Sequence, residues 1–283
     1  MVSSIELSPL NVSTLLRDYK IKPKKKLGQN FLIDTSTLQR IVESAEIEPD
    51  AAVLEIGPGL GSLTRHLALA ARQVVAVELD SAMLPPLMEV ISEWDHITIV
   101  QGDILRLDPA VLMDDQPYTV VANIPYSITS ALIRHLLEAR VKPERMVLTV
   151  QREVAQRICA KPGKLSLLAL SVQLYGNPRI AVRIPAGSFY PAPKVDSAAI
   201  RIDLFPEPQI PTEAIDTFFF LAKAGFSQKR KTLRNALSAG IHWKPDQTTD
   251  LLHRADIDPM RRAETLSLPE WRQLTEHYLQ YTS

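Results

Sequence analysis

Apolar positions in the first two thirds of the chain fall into short β-branched runs separated by stretches with helical spacing. The runs are AAVLEIG (51–57), QVVAVEL (73–79), HITIVQGD (96–103), YTVVANIP (118–125) and RMVLTVQ (145–151), each bounded by turn residues. Between them, Ser62–Ala71, Ala82–Glu93, Thr129–Ala139 and Glu153–Ile158 onward place apolar residues on one helical face. Strand alternating with helix in this way predicts a parallel sheet built from right-handed βαβ units. Two further runs, RIAVRIP (179–185) and DSAAIRIDL (196–204), flank the proline-rich loop Ala186–Val195 and predict an antiparallel hairpin at the sheet edge.

Beyond Pro206, Pro208 and Pro211 the strand pattern stops. Only helical spacing remains, over Glu213–Ala224, Arg230–Ser238, Gln247–Arg254 and Leu268–Tyr281. The expected organisation is a lead over residues 1–26, an α/β domain over 27–205 and a small all-helical domain over 206–283. The first nineteen residues read as a flexible lead or a short helix.

Composition adds limits. With 283 residues the chain has room for one large domain and a smaller one, and 46% hydrophobic with 23% charged residues is ordinary for a globular protein. The single Cys159 excludes an internal disulfide and a cysteine-based zinc site, so no metal is expected. Its apolar neighbours make it a small buried hydrophobe. No apolar run approaches the ~18 residues of a membrane span. Residues 1–10 carry Glu6 and no basic region ahead of an apolar core, so no secretory signal is expected, and the cytoplasm is the default location.

Formal net charge is zero, yet the charges are unevenly placed. Lys20, Lys22, Lys24, Lys25 and Lys26 form one basic cluster. Lys223, Lys229, Arg230, Lys231 and Arg234 form another, with no acidic residue between them. Such runs are solvated faces or grips on a polyanion, and charge alone does not choose between these.

Candidate chemistry gathers at the ends of the runs. The first leads into Glu55-Ile56-Gly57-Pro58-Gly59-Leu60-Gly61 and then a helix. Glycines here let backbone approach a ligand closely. The dinucleotide pattern G-x-G-x-x-G fails in both registers, at Ser62 from Gly57 and at Thr64 from Gly59, so the loop suits a ligand without phosphates. Glu78 ends the second run at the ~20-residue spacing from which a carboxylate accepts ribose hydroxyls. Asp103 ends the third, where it would accept an adenine amino group. Each acid alone is an ordinary strand-end residue; together with the glycine loop they point to an adenosine-like ligand.

The fourth run ends in Asn123-Ile124-Pro125-Tyr126. An exocyclic adenine amine is a poor nucleophile because its lone pair is delocalised into the ring. The Asn123 side-chain oxygen and the Ile124 carbonyl would take its two hydrogens and favour a pyramidal nitrogen, a stabilisation concentrated in the transition state. Pro125 stiffens the carbonyl, and Tyr126 would stack on an extruded base. Phe189, in a segment stiffened by Pro191 and Pro193, is either a second wall of that base pocket or a core residue of an edge loop.

On these residues the chain resembles the KsgA-type ribosomal RNA adenine dimethyltransferases from Lys24 to about Glu276. The resemblance rests on Leu27–Leu32, Glu55–Gly61, Asn123–Tyr126, Phe189–Ser197, Phe226–Asn235 and Arg262–Ser267. It implies a Rossmann-like class I methyltransferase sheet with a helical C-terminal domain. It also implies S-adenosyl-L-methionine as cofactor and dimethylation of two adjacent adenosines in a hairpin near the 3′ end of 16S ribosomal RNA. Cofactor contacts carry over to Asn30, Leu32, Gly57, Glu78, Asp103 and Asn123, with Gly59 in the same loop. Lys229, Arg230, Lys231 and Arg234 become an RNA-backbone grip. The implied partner is the small-subunit rRNA in a pre-30S particle, met by a monomer with no membrane attachment. Three other readings compete: a 23S rRNA methyltransferase, a non-catalytic ribosome-assembly or transcription factor on the same fold, and an amino-methyltransferase acting on DNA or small molecules.

Overall fold

The computed structural model describes residues 7–282; the first part of the segment read for a signal, residues 1–6, lies outside them. Two compact units divide the chain. One runs up to Ala155 and resumes over Pro178–Leu204; the other comprises Gln156–Asn177 and the chain from Phe205 onward. The excursion over 156–177 has no counterpart in a single boundary at residue 206, because its apolar residues Leu165, Ala169, Leu170 and Leu174 belong to the helical core.

The first unit is built on β2 (Ala52–Ile56), β3 (Gln73–Glu78), β4 (Ile97–Gln101), β5 (Tyr118–Asn123) and β6 (Arg145–Gln151), with β7 (Gly176–Ile184) and β9 (Ser197–Leu204). Their order across the sheet is β4-β3-β2-β5-β6-β9-β7. Strands β2 to β6 pair in parallel, and β9 runs antiparallel to β6 with Arg145 opposite Asp203 and Gln151 opposite Ser197. The outer neighbour of β9 is β7, so Pro178 falls on an edge strand, where its missing N–H breaks no ladder.

Helices α1 (Val12–Asp18), α2 (Thr35–Ala45), α3 (Ser62–Ala70), α4 (Leu84–Val90), α5 (Pro109–Leu112) and α6 (Thr129–Leu137) belong to this unit, and α7 (Arg152–Ile158) leads out of it. Leu38, Ile41, Leu63, Leu67, Val53, Val121 and Val147 form one core cluster between helices and sheet. The lead is helical over α1. Val12 and Leu16 pack with Phe31, Leu60 and Met83 in a separate small cluster.

Two short strands, β1 (Phe31–Leu32) and β8 (Phe189–Tyr190), form a second, antiparallel sheet with Leu32 opposite Phe189. Ile33 N–H donates to the Ser188 carbonyl at 2.9 Å beside it. Two motifs remote in sequence are thereby joined.

The second unit is helical: α8 (Leu167–Gln173), α9 (Ile215–Phe226), α10 (Leu233–Ile241), α11 (Pro245–Arg254) and α12 (Leu268–Thr282). Its core gathers Phe218, Leu221, Leu233, Leu237, Leu251, Leu252, Trp271 and Leu274. Helix α10 starts later than the spacing predicts. Thr232, extended at φ −65° and ψ 155°, forms its N-terminal boundary, so Lys229, Arg230 and Lys231 lie in the turn before it.

Candidate active site

The carboxyl ends of β2, β3, β4 and β5 open onto one cleft of about 220 Å³. This is where open α/β sheets bind ligands. Its lining includes Asn30, Leu32, Gly57, Gly59, Glu78, Asp103 and Asn123, so the structure brings together every cofactor position expected from the sequence. Pro125, Ser127 and Ile128 extend it past β5, and Lys26–Gln29 cover it from the N-terminal side.

Backbone conformation explains two glycines. Gly59 has φ +58°, and a Cβ there would sit 3.0 Å from Cε1 of Phe31. Gly28 has φ +62°, and its Cβ would meet Cβ of Pro125 at 3.0 Å. A side chain at either position would push the N-terminal segment off the cleft as well as straining the chain.

Glu78 is buried and accepts from two backbone N–H groups, Gly59 at 3.0 Å and Asp80 at 2.7 Å. Burial holds its pKa above the usual carboxylate range, and these two hydrogen bonds offset only part of the rise. Asp103 Oδ1 accepts from Leu105 N–H at 3.1 Å, and its Oδ2 lies 3.6 Å from Arg106.

Glu55, one residue before the end of β2, is 1% exposed, and its Oε2 has no hydrogen-bond partner among the described residues. Burial raises its pKa to about 8; the nearby Thr64 hydroxyl offsets some of this, and the Glu78 charge adds to it. The sequence reading placed Glu55 in the loop motif but gave it no role.

Asn123 is held by its amide nitrogen, which donates to the Asn30 carbonyl at 3.1 Å. A carbonyl can only accept, so the amide has one orientation, and Oδ1 is left as an acceptor. Tyr126 is half-buried, and its hydroxyl shares a 2.6 Å hydrogen bond with Ser197 Oγ, itself buried at the start of β9.

Of the two expectations for Phe189, its burial matches the core residue: it is 3% exposed and packs in the sheet core. Ile124, Tyr126 and Phe189 are not among the residues that line the cleft. Pairing with Leu32 fixes β8 so that Phe189 points inward, while Tyr190 is 44% exposed. In the helical unit, Lys229, Arg230 and Lys231 are exposed, and Arg234 is half-buried with its Nε on Asn235 Oδ1 at 3.2 Å.

The sequence reading also missed Asp80, which accepts from Lys24 Nζ at 2.7 Å and Gln29 Nε2 at 2.8 Å. Only its place two residues after Glu78 hints at such a role.

A family model described as ribosomal RNA adenine dimethylase matches residues 20–279. The chain is 44% identical over 280 residues to "Ribosomal RNA small subunit methyltransferase A" of Dehalococcoides mccartyi (strain CBDB1), covering 98% of this chain and 96% of that one. It is 39% identical to the protein of the same name from Alkaliphilus metalliredigens (strain QYMF), covering 95% and 96%. Among solved structures, the 23S rRNA methyltransferase ErmE superposes with a TM-score of 0.73 at 31% identity, over 88% of this chain and 99% of that one. A dimethyladenosine transferase from Plasmodium falciparum shares the fold with a TM-score of 0.75 at 24% identity, over 89% and 98%.

Proposed function

The chain belongs to the ribosomal RNA adenine dimethylase family, and on that premise we propose that it dimethylates the 6-amino groups of two adjacent adenosines in the hairpin near the 3′ end of 16S rRNA. It is an rRNA adenine dimethyltransferase that uses S-adenosyl-L-methionine. The observation that carries the chemistry is the orientation of Asn123, whose amide oxygen is left to accept a hydrogen from an amine.

The cleft fits the cofactor by charge. Among the described residues its lining carries Glu78 and Asp103 against the single Lys26, and Glu55, which burial keeps protonated below about pH 8, would ionise beside a cationic ligand. Asn30, Leu32, Gly57 and Gly59 would hold the cofactor, Glu78 its ribose and Asp103 its adenine amino group. Once bound, the cofactor supplies an electrophilic methyl group on a sulfonium.

The protein's own residues then have a positioning task. Asn123 Oδ1 and the Ile124 carbonyl would hold the two hydrogens of the target amine, so that its lone pair localises and faces the methyl group. Pro125 fixes the direction of that carbonyl. Tyr126, steadied by Ser197, would stack on the extruded base. No histidine or cysteine lines the cleft among the described residues, and none is needed, because the alkylated nitrogen loses its proton to solvent.

Lys229, Arg230, Lys231 and Arg234 would grip RNA phosphates in the helical unit. The partner on this reading is the small subunit during assembly, in the cytoplasm. One chain supplies every residue required, so a monomer suffices. On this reading the unit that runs up to Ala155 and resumes over Pro178–Leu204 carries catalysis, and the helical unit of Gln156–Asn177 and the chain from Phe205 onward carries RNA binding. Removing the charges of Arg230 and Lys231 lowers RNA affinity and makes log affinity less steep in log salt, by about 0.7–0.9 for each phosphate no longer neutralised. An unchanged slope would leave that run a solvated face.

The test of function is methyl transfer from labelled S-adenosylmethionine to undermethylated small subunits, with large-subunit rRNA and duplex DNA alongside. Dimethyladenosine in the 3′-end hairpin is expected. Label confined to large-subunit RNA would reassign the enzyme to the 23S reading that its likeness to ErmE keeps in view. Cofactor binding without transfer to any substrate would favour the assembly-factor reading.

A further inference from the structure

The segment Lys24–Leu32 is fastened along both sides of the cleft. On the β5 side, the Asn30 carbonyl accepts from Asn123, and Gly28 lies against Pro125. On the β3 side, everything converges on Asp80. Its Oδ1 accepts from Lys24 Nζ at 2.7 Å and from Ala82 N–H at 3.2 Å, and its Oδ2 accepts from Gln29 Nε2 at 2.8 Å.

Gln29 closes the loop on itself, because its Oε1 accepts from Lys24 N–H at 2.7 Å. The Asp80 side chain is 5% exposed, whereas Lys24 is 51% exposed. A buried carboxylate thus has its partners delivered by a surface segment. With burial working against it, hydrogen bonds from Lys24, Gln29 and Ala82 still hold the Asp80 pKa below the usual carboxylate range. Its own N–H donates to Glu78 Oε1, so the fastening reaches a residue of the cleft directly.

We propose that Lys24, Gln29 and Asp80 are positioning residues: a polar clasp that holds the segment bearing Asn30 and Leu32 over the cleft and sets how fast the cofactor leaves. This rests on the reading of the cleft as the S-adenosylmethionine site. A ligand beneath a segment fastened on both sides departs only when one side opens. The Asn123 side is needed for chemistry, which makes the Asp80 side the one free to open.

Three variants test the clasp: Lys24→Met, Asp80→Asn and the two combined, with Lys24→Arg as the conservative control. Two readouts are taken on the full chain. Hydrogen–deuterium exchange of residues 24–32 is measured without cofactor, and dissociation of labelled S-adenosylmethionine is timed by dilution. Lys24→Met and Asp80→Asn are expected to speed exchange in 24–32 and to raise the dissociation rate about fivefold. The combined variant should be no faster than Asp80→Asn, and Lys24→Arg should stay near the parent.

In steady state, the cofactor KM should rise by a larger factor than methyl transfer at saturation falls. Exchange and dissociation within twofold of the parent in both single variants would overturn the clasp. So would faster dissociation with unchanged exchange, which would place the effect on Glu78. A parent protein that binds no S-adenosylmethionine would instead sink the cofactor reading, while the exchange arm would still report on the fastening.

Discussion

The two ends of the parallel sheet use the same residue types to opposite effect. At the end where β6 begins, Arg145 and the 5% exposed Arg201 meet Asp203 and Glu46. Both arginines also cap α2: Arg201 donates to the Ser44 carbonyl at 2.9 Å, and Arg145 donates to those of Ala45 and Glu46. Hydrogen bonding from Arg201 pulls the Glu46 pKa down. At Asp203 burial pushes the other way, but Arg145 and Arg201 outweigh it and the pKa falls.

At the opposite end, Glu55 and Glu78 are buried with no arginine beside them, and both pKa values rise. One end consolidates the fold. The other keeps uncompensated acid where a cationic ligand is to bind, and the apo protein is less stable for it.

Four substitutions would break or sharpen that contrast. The largest effect is expected at Asn123→Ala, which removes the amine acceptor and the bond to Asn30. Single-turnover methyl transfer should fall by about 100-fold or more, with cofactor affinity reduced only several-fold in calorimetry. Arg201→Met should do the reverse. It leaves Asp203 and the end of α2 short of a partner and lowers unfolding free energy by roughly 2 kcal/mol, a moderate figure because Glu46 is exposed. Urea denaturation measures this, and transfer per folded molecule should be unchanged.

Glu55→Gln tests the acid end by pH. The folded pKa of about 8 lies above the ordinary 4.5, so between these values the folded state keeps a proton that the unfolded state has lost. Parent stability should therefore fall as pH rises through this window and level off above it. The variant should lack that slope and be more stable at pH 8.5 by on the order of 2 kcal/mol without cofactor. Equal slopes in the two proteins would place the titration elsewhere. The smallest effect is expected at Tyr126→Phe, which keeps the ring and loses only the bond to Ser197. Transfer should slow about fivefold, and the urea midpoint should move little.

What the sequence made legible follows from how local each signal is. Five parallel strands and the glycine loop announced themselves through β-branched runs and turn residues, and Glu78, Asp103 and Asn123 were found because each ends a run. The pairing of Leu32 with Phe189 left no local trace, so Phe189 was open to two readings until its backbone partner was known. Arg201 and Asp203 lie in the run DSAAIRIDL, where nothing local singles them out. Their role depends on α2 arriving from a distant part of the chain. Residues 156–177 were placed by spacing alone in the sheet unit, whereas their apolar side chains are completed by helices that begin near residue 212. Helical spacing placed the start of a helix at Arg230; the Thr232 boundary starts α10 later.

The most direct test of the contrast sets one variant from each end against the same substrate. Asn123→Ala and Arg201→Met are compared in single-turnover methyl transfer to undermethylated small subunits, each rate normalised to folded protein. The predicted result is about 100-fold loss or more for Asn123→Ala and a rate within about twofold of the parent for Arg201→Met. Equal losses, or the larger loss at Arg201, would contradict it.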